Sequence, residues 1–410
     1  MRTNAIVRAV AALGLCLGAF ALVFAQDVGI DVGGGAGIFR AKNPETKKNA
    51  NKPAAGTKPA SRTTGTTKPR VSAVAERVEE LLDKGNTARD GRKFAEAEEA
   101  YKEVLKLKPR DARAAYGLGN IYSDQQRWDD AETAYRNSVT WAPTDADAHI
   151  ALSVVLVQPR VEGDNAKRLA DAETFARRSV QIDPKNAIGW DRLGVALQAR
   201  GLANSETEHS YRRAIELDPQ FAAAYAHLAR VLNRMGKPAD AAPLYQKAIE
   251  LAKDPATLNL IAESLQGEQL WPQSEPVLKR ALELDSQNPT SLLLMGRLLI
   301  VYRRFQEAEP YLKSATEVSS RAFQPFNLLA RAYLGMDRFS DAEATYERAS
   351  AFAGTGEKKQ LAGLYGFEGV GDGYLKSNQK DKAVRAYQRA LELDPNNSGA
   401  AQKLAKARQN

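Results

Sequence analysis

"RRAIELDP" (212–219) is a stretch that the chain writes again as "KRALELDS" (279–286) and "QRALELDP" (388–395), with a worn copy, "KEVLKLKP", at 102–109. The alanine of this signature returns at Ala214, Ala248, Ala281, Ala315 and Ala349 in steps of 34, 33, 34 and 34, and Ala390 follows after 41. Upstream, Pro109, Pro143, Pro184 and Pro219 step by 34, 41 and 35. A period near 34 with helical patterning predicts a solenoid of helix pairs, in which no single repeat can bury its apolar face alone.

Each period reads as two amphipathic helices. In 111–143 the first presents Ala115, Leu118, Gly119 and Tyr122 at helical spacing, and the turn falls near Gln125–Trp128. The second carries Ala131, Tyr135 and Ser138 and stops at Pro143, whose ring cannot continue a helix. Gly119 and Ala131 have a physical reason, since two helices approach closely only where side chains are small. Tyr135 fills the space that remains.

These residues resemble the tetratricopeptide repeat, whose pattern is W-x2-L-G-x2-Y, then A-x3-F or Y, then P. Trp190, Leu193, Gly194 and Leu197 match it, as do Tyr225, Leu228, Ala229, Leu232, Ala241, Tyr245 and Ala248. Leu329, Ala330, Tyr333, Ala342, Tyr346 and Ala349 form another copy, and Gly371, Tyr374, Ala383, Tyr387, Ala390 and Pro395 the last. Nine repeats follow in register: 78–111, 112–145, 146–186, 187–221, 222–254, 255–288, 289–322, 323–356 and 364–397. The departures are insertions at "QPRVEGDN" (158–165) and "AGTGEKKQLAG" (353–363), Ser153 in place of the small glycine, and Thr207 and Ser274 in place of alanine. The resemblance implies an all-α fold, a right-handed superhelical solenoid of about nine helix-turn-helix repeats over 75–397. A polar C-terminal helix at 398–410 caps its last apolar face.

The N-terminus has a different character. Arg2 and Arg8 precede an apolar run from Ala9 to Ala25 that closes on Val23-Phe24-Ala25, the layout of a secretory signal peptide over 1–25. Removal after Ala25 is expected, and the alternative is an uncleaved anchor. Cleavage would discard Cys16, the one cysteine, and with it any thiol chemistry. Residues 26–74 are rich in Gly, Lys, Thr, Pro and Ala and hold few large apolar side chains, so they read as a disordered basic linker. Residues 40–70 hold nine Lys or Arg against Glu45, which accounts for the formal net charge of +8 and leaves 71–410 near neutral. A basic tail on a neutral body argues against nucleic acid as a partner. It suits a spacer, or attachment through 40–70 to an anionic membrane or cell-wall surface.

No catalytic constellation is present. His149, His209 and His227 fall in different repeats without a metal-binding spacing, "GGGAG" has no strand–helix frame, and pairs such as Glu98-Glu99 read as solvated charge. The chain is therefore expected to be no enzyme, with no cofactor and no metal.

What remains is surface. In the tetratricopeptide-repeat family the first helix of each repeat lines a concave groove, and the resemblance places Asn86, Asn120, Arg230, Arg297 and Arg331 at its ninth position. Asn233, Arg234, Asn259 and Asn327 are neighbouring groove positions. Glu263 and Asp372 interrupt the positive stripe, and Ile150, Val154 and Val157 make the third repeat apolar. Arginine forks carboxylates and asparagine holds an extended backbone, so this set predicts a protein or peptide ligand, acidic or carboxylate-bearing. The expected function is a non-catalytic scaffold or adaptor, exported to the periplasm or cell envelope and there anchored N-terminally or free. The alternatives are a membrane- or wall-tethered structural assembly factor using the basic tail, or a regulatory subunit of a separate envelope enzyme.

Overall fold

The computed structural model describes residues 41–46, 73–158 and 164–409. The expected signal peptide and most of the linker lie outside the described residues. Among the described residues every regular element is a helix, and none is long and apolar enough to cross a membrane. They divide into two compact units, one ending at Ala248 and the other beginning at Ile249.

The first unit carries α1 (Ala73–Asp90), α2 (Phe94–Leu107), α3 (Ala112–Asp124), α4 (Trp128–Trp141), α5 (Ala146–Leu156), α6 (Asn165–Ile182), α7 (Ala187–Ala199), α8 (Ser205–Leu217), α9 (Ala222–Arg234) and most of α10 (Pro238–Leu251). The second carries α11 (Pro255–Gly267), α12 (Trp271–Leu284), α13 (Pro289–Val301), α14 (Phe305–Val318), α15 (Phe323–Gly335), α16 (Phe339–Ser350), α17 (Thr355–Ala362), α18 (Phe367–Lys376), α19 (Lys380–Leu393) and α20 (Ser398–Gln409). Odd and even members pair from α1 to α8 and from α11 to α16, and α18 pairs with α19.

Side chains start the first helix of many repeats. Asp111, Asp145, Asn186, Asp254 and Asn288 each accept main-chain N–H groups of α3, α5, α7, α11 and α13, which the first turn of a helix leaves unpaired. The ends of α3, α13 and α15 are built differently. Gln126, Arg303 and Asp337 adopt positive φ, and the residue after each donates back to the helix, as Arg127 N–H does to Tyr122 O at 2.8 Å. This left-handed exit reverses the chain within a few residues and launches the second helix. The basic residue that follows also reaches the preceding repeat: Arg304 pairs with Glu275 at 2.8 Å and Arg338 with Glu309 at 3.0 Å. Of the pair read as solvated charge, Glu98 does the same work, accepting from Lys102, Tyr122 and Arg127, while Glu99 is exposed.

In four pairs a tyrosine lies where a glycine of the facing helix lacks a side chain, Tyr101 against Gly85, Tyr135 against Gly119, Tyr211 against Gly194 and Tyr387 against Gly371, and at Gly296 the place is taken by Leu312. A Cβ on Gly119 would stand 2.5 Å from the ring of Tyr135, so only glycine admits that ring. The polar departures are absorbed locally: Thr207 and Ser274 are fully buried, and their hydroxyls donate to Leu202 O and Trp271 O, each at 2.9 Å.

Two segments differ from the sequence expectation. The insertion at 353–363 forms α17, because the Glu357 carboxylate accepts from Gly354 N–H at 2.7 Å and Leu361 and Ala362 are buried. Ala41–Thr46, assigned to a disordered linker, are instead in place against α1 and α3. Main-chain carbonyls hold them there, which composition does not register. At the other end α20 buries Ala400, Leu404 and Ala407, and Lys403 reaches Glu368 and Asp372 at 2.7 Å each.

Candidate peptide groove

In the first unit, Asn86 projects from α1 and Asn120 from α3, one repeat apart. Tyr101 on α2 donates its hydroxyl to Asn86 Oδ1 at 2.7 Å, and Tyr135 on α4 donates to Asn120 Oδ1 at 2.8 Å. A phenol donating to the amide oxygen fixes which end of the amide faces outward, and both Nδ2 groups are turned to the first-helix face. Burial of Tyr101 and Tyr135 raises their pKa values, so both remain donors.

Two arginines complete this wall. Arg89 is held by Asp124, Nε to Oδ2 at 2.8 Å and Nη2 to Oδ1 at 3.1 Å, which leaves Nη1 directed away from the pair. Burial works against its charge, but Asp124 outweighs that and the Arg89 pKa is raised. Arg113 is forked by Glu79, at 3.0 Å to each oxygen, with Asp111 at 3.2 Å.

The extended residues 41–46 occupy this face. Arg89 Nη1 donates to Ala41 O (2.7 Å), Asn120 Nδ2 to Lys42 O (2.9 Å), Asn86 Nδ2 to Pro44 O (2.9 Å) and Arg113 Nη1 to Glu45 O (3.2 Å). Four of six carbonyls are therefore held by side chains of α1 and α3.

The other expected groove residues have different surroundings. In the first unit Arg230 and Asn233 are half-buried on α9 and Arg234 is exposed. Nearby, Asp191 is fully buried with Arg192 at 2.5 Å and His227 Nδ1 at 2.8 Å. Burial alone would raise the Asp191 pKa, yet these two partners bring it below the ordinary value. His227 is thus packed against a carboxylate, and among the described residues no group of three or more His, Cys, Asp or Glu is placed to hold a metal.

In the second unit Asn259 is buried, donating to Asn288 Oδ1 (3.0 Å) and accepting from Ser291 Oγ (2.7 Å). Arg297 donates through Nε and Nη2 to Gln266 Oε1 at 2.9 and 2.6 Å. Arg331 and Asn327 are buried on α15, with the Arg331 guanidinium 4.9 Å from the centre of the Tyr365 ring.

Arg89, Arg113, Glu79 and Asp124 were missed from sequence. Their signal was available in the period: Glu79 and Arg113 are 34 residues apart, Arg89 and Asp124 35.

Models of the tetratricopeptide repeat match residues 82–146, 210–242 and 366–397. Among solved structures the chain is similar to the MamA protein, at 23% identity over 43% of this chain and 92% of that one, with a TM-score of 0.37. It is also similar to TTC0263, a thermophilic TPR protein in Thermus thermophilus (21%, 46% and 99%, TM-score 0.39). A third is the APC/C hetero-tetramer Cut9-Hcn1 (15%, 82% and 62%, TM-score 0.46). No curated protein matches the chain. Repeat models match in three separate places along paired helices, so this chain carries tetratricopeptide repeats.

Proposed function

We propose that the protein is a non-catalytic scaffold of the bacterial cell envelope that grips an extended segment of a partner protein on its first-helix face. The observation that carries this reading is the pair Asn86 and Asn120, whose amides are pinned by tyrosines and donate to carbonyls of an extended chain. Such contacts bind backbone in any extended segment, and side-chain pockets add selectivity. The wall is set before ligand arrives, which limits the entropy lost on binding. Export rests on the three-part layout of residues 1–25, and the basic stretch 40–70 is proposed to lie against anionic lipid or wall polymer. Arg230 and Arg234 on α9 are the basis for proposing an acidic or carboxylate-bearing ligand, since arginine pairs bidentately with carboxylate, whereas Arg331 is buried against Tyr365.

The test is capture from an envelope extract by the full chain and by N86D/N120D. Aspartate keeps an acceptor for Tyr101 and Tyr135 and removes the outward donor; Asp372 already stands in this relation to Tyr387, at 2.8 Å. A dominant captured protein should be lost with the variant. Equal capture by both chains would remove the N-terminal groove from the function.

A further inference from the structure

The segment at 41–46 is read by its side chains as well as its backbone. Asn43 Oδ1 accepts from Arg89 Nη1 at 3.0 Å, and Asn43 Nδ2 donates to Asp90 Oδ2 at 2.9 Å. Only a primary amide offers an acceptor and a donor in that arrangement: aspartate would oppose Asp90, and leucine would satisfy neither group. Pro44 is buried, and having no N–H it needs no acceptor from a wall that faces it with Asn86 Nδ2. Ala41 and Thr46 are also buried, the Thr46 hydroxyl without a hydrogen-bond partner, so that these two positions are read by shape alone, while Lys42 and Glu45 are exposed. The pattern read is therefore Ala-x-Asn-Pro-x-Thr.

The wall does not depend on this segment for its shape. Asp124 holds Arg89, Glu79 holds Arg113, and Tyr101 and Tyr135 hold the two asparagines, each from within the helical repeats. A site complete without its occupant has the character of a binding site, not of a strut. The donors that hold residues 41–46 are also the donors a partner would need, so the two occupants exclude each other.

We infer that the face of α1 and α3 is a reading site for an extended Ala-x-Asn-Pro-x-Thr segment, filled in the resting chain by its own residues 41–46, which a partner segment of that chemistry must displace to dock. The inference rests on the groove reading above and narrows its ligand class. The resident and its groove belong to one chain, and intramolecular attachment of this kind gives an effective concentration of about 1 mM. A free segment that binds the open groove at about 0.1 mM would then bind the intact chain roughly tenfold more weakly.

The experiment uses a fluorescent AKNPET peptide with Gly-Ser flanks, its anisotropy read against the full chain, N43D/P44A, and N43D/P44A/N86D/N120D. The probe should bind N43D/P44A about tenfold more tightly than the unaltered chain. It should lose binding to the four-site variant, and circular dichroism melts should show all three chains folded. Equal affinity for the first two chains, or no binding to N43D/P44A, overturns the inference. An unaltered chain that runs as a dimer and becomes monomeric as N43D/P44A overturns occupancy by the chain's own segment. Where capture from extract is still lost in N86D/N120D but the probe fails, the scaffold reading stands and this inference falls. Where capture is also indifferent, both fall.

Discussion

The Tyr135 hydroxyl donates to Asn120 Oδ1 at 2.8 Å, and the same Asn120 donates from Nδ2 to the carbonyl of Lys42 at 2.9 Å. One side chain thus joins the interior of a helix pair to its outer face. Asn120 and Tyr135 are both almost wholly buried, so each depends on the other for its hydrogen bond. Replacing Asn120 with alanine should cost about 1–3 kcal/mol, the desolvation of an orphaned phenol, and Tyr135→Phe about 0.5–1.5 kcal/mol. The double variant should cost less than the two together, as contacting residues do. Urea unfolding of the four chains measures this, and strictly additive losses would contradict the coupling.

Close approach at Gly119 predicts a contrast between glycines. A Cβ there would meet the Tyr135 ring at 2.5 Å, whereas nothing lies within 4 Å of a Cβ on Gly267. Gly119→Ala should destabilise by about 1–3 kcal/mol through overpacking. Gly267→Ala, at the end of α11, should be neutral or stabilise by up to about 1 kcal/mol through helix propensity. Urea midpoints of the two variants should move in opposite directions or leave only the first displaced; equal shifts would show that the ring yields freely.

Acid should loosen the repeats from one another. Arg304, then Lys279, holds the Glu275 carboxyl below its ordinary range, and Lys313, against some burial and with Arg338, does the same for Glu309. A carboxyl with a depressed folded pKa contributes stability that is present above its unfolded value, about 4.3 for glutamate, and is lost as pH falls through the folded value. Asp191 adds a buried contribution of the same sign. Asp147 runs the other way, because burial raises its pKa and favours folding at lower pH. The carboxyls with depressed values outnumber it, so the melting temperature should fall from about pH 4.5 downward. Glu275→Gln should lower the melting temperature at neutral pH and flatten that fall. A melting temperature that is level between pH 5 and pH 3 would refute the assignment.

Charge reversal along the arginine stripe should separate its members. Arg297 donates twice to Gln266, whose own Nε2 donates to Leu294 O at 3.2 Å, so Arg297→Glu breaks a connected set and brings in a repelling charge. A loss of about 1–3 kcal/mol is expected. Arg234 is exposed on α9, and Arg234→Glu should stay within about 0.5 kcal/mol of the unaltered chain. Thermal melts decide it: similar losses at both positions would mean that Arg297 is not integrated into the fold.

The helix pairs were legible because their causes are local and repeated. The alanines, glycines and prolines recur near every 34 residues, small residues such as Gly119 mark close contacts, and Pro109, Pro143, Pro184 and Pro219 each follow the end of a helix. The Gly–Asn pairs at 85–86 and 119–120 were also legible as first-helix positions. Two things were not: what the Asn86 and Asn120 amides hold, and that Arg297 is committed to Gln266. Both are contacts between residues from different helices, and periodicity reports which face a residue is on without reporting its neighbour.

By itself the sequence determined the all-α class, the number and register of the helix pairs, and the absence of a recognisable catalytic motif, since each follows from local patterning and spacing. Only the tertiary structure decided that Ala41–Thr46 lie in place on α1 and α3. Six residues from a stretch with a disordered composition are ordered by donors that Asp124, Glu79, Tyr101 and Tyr135 orient from separate helices. Such a contact between a tail and a wall assembled across two repeats has no signature in the order of residues along either one.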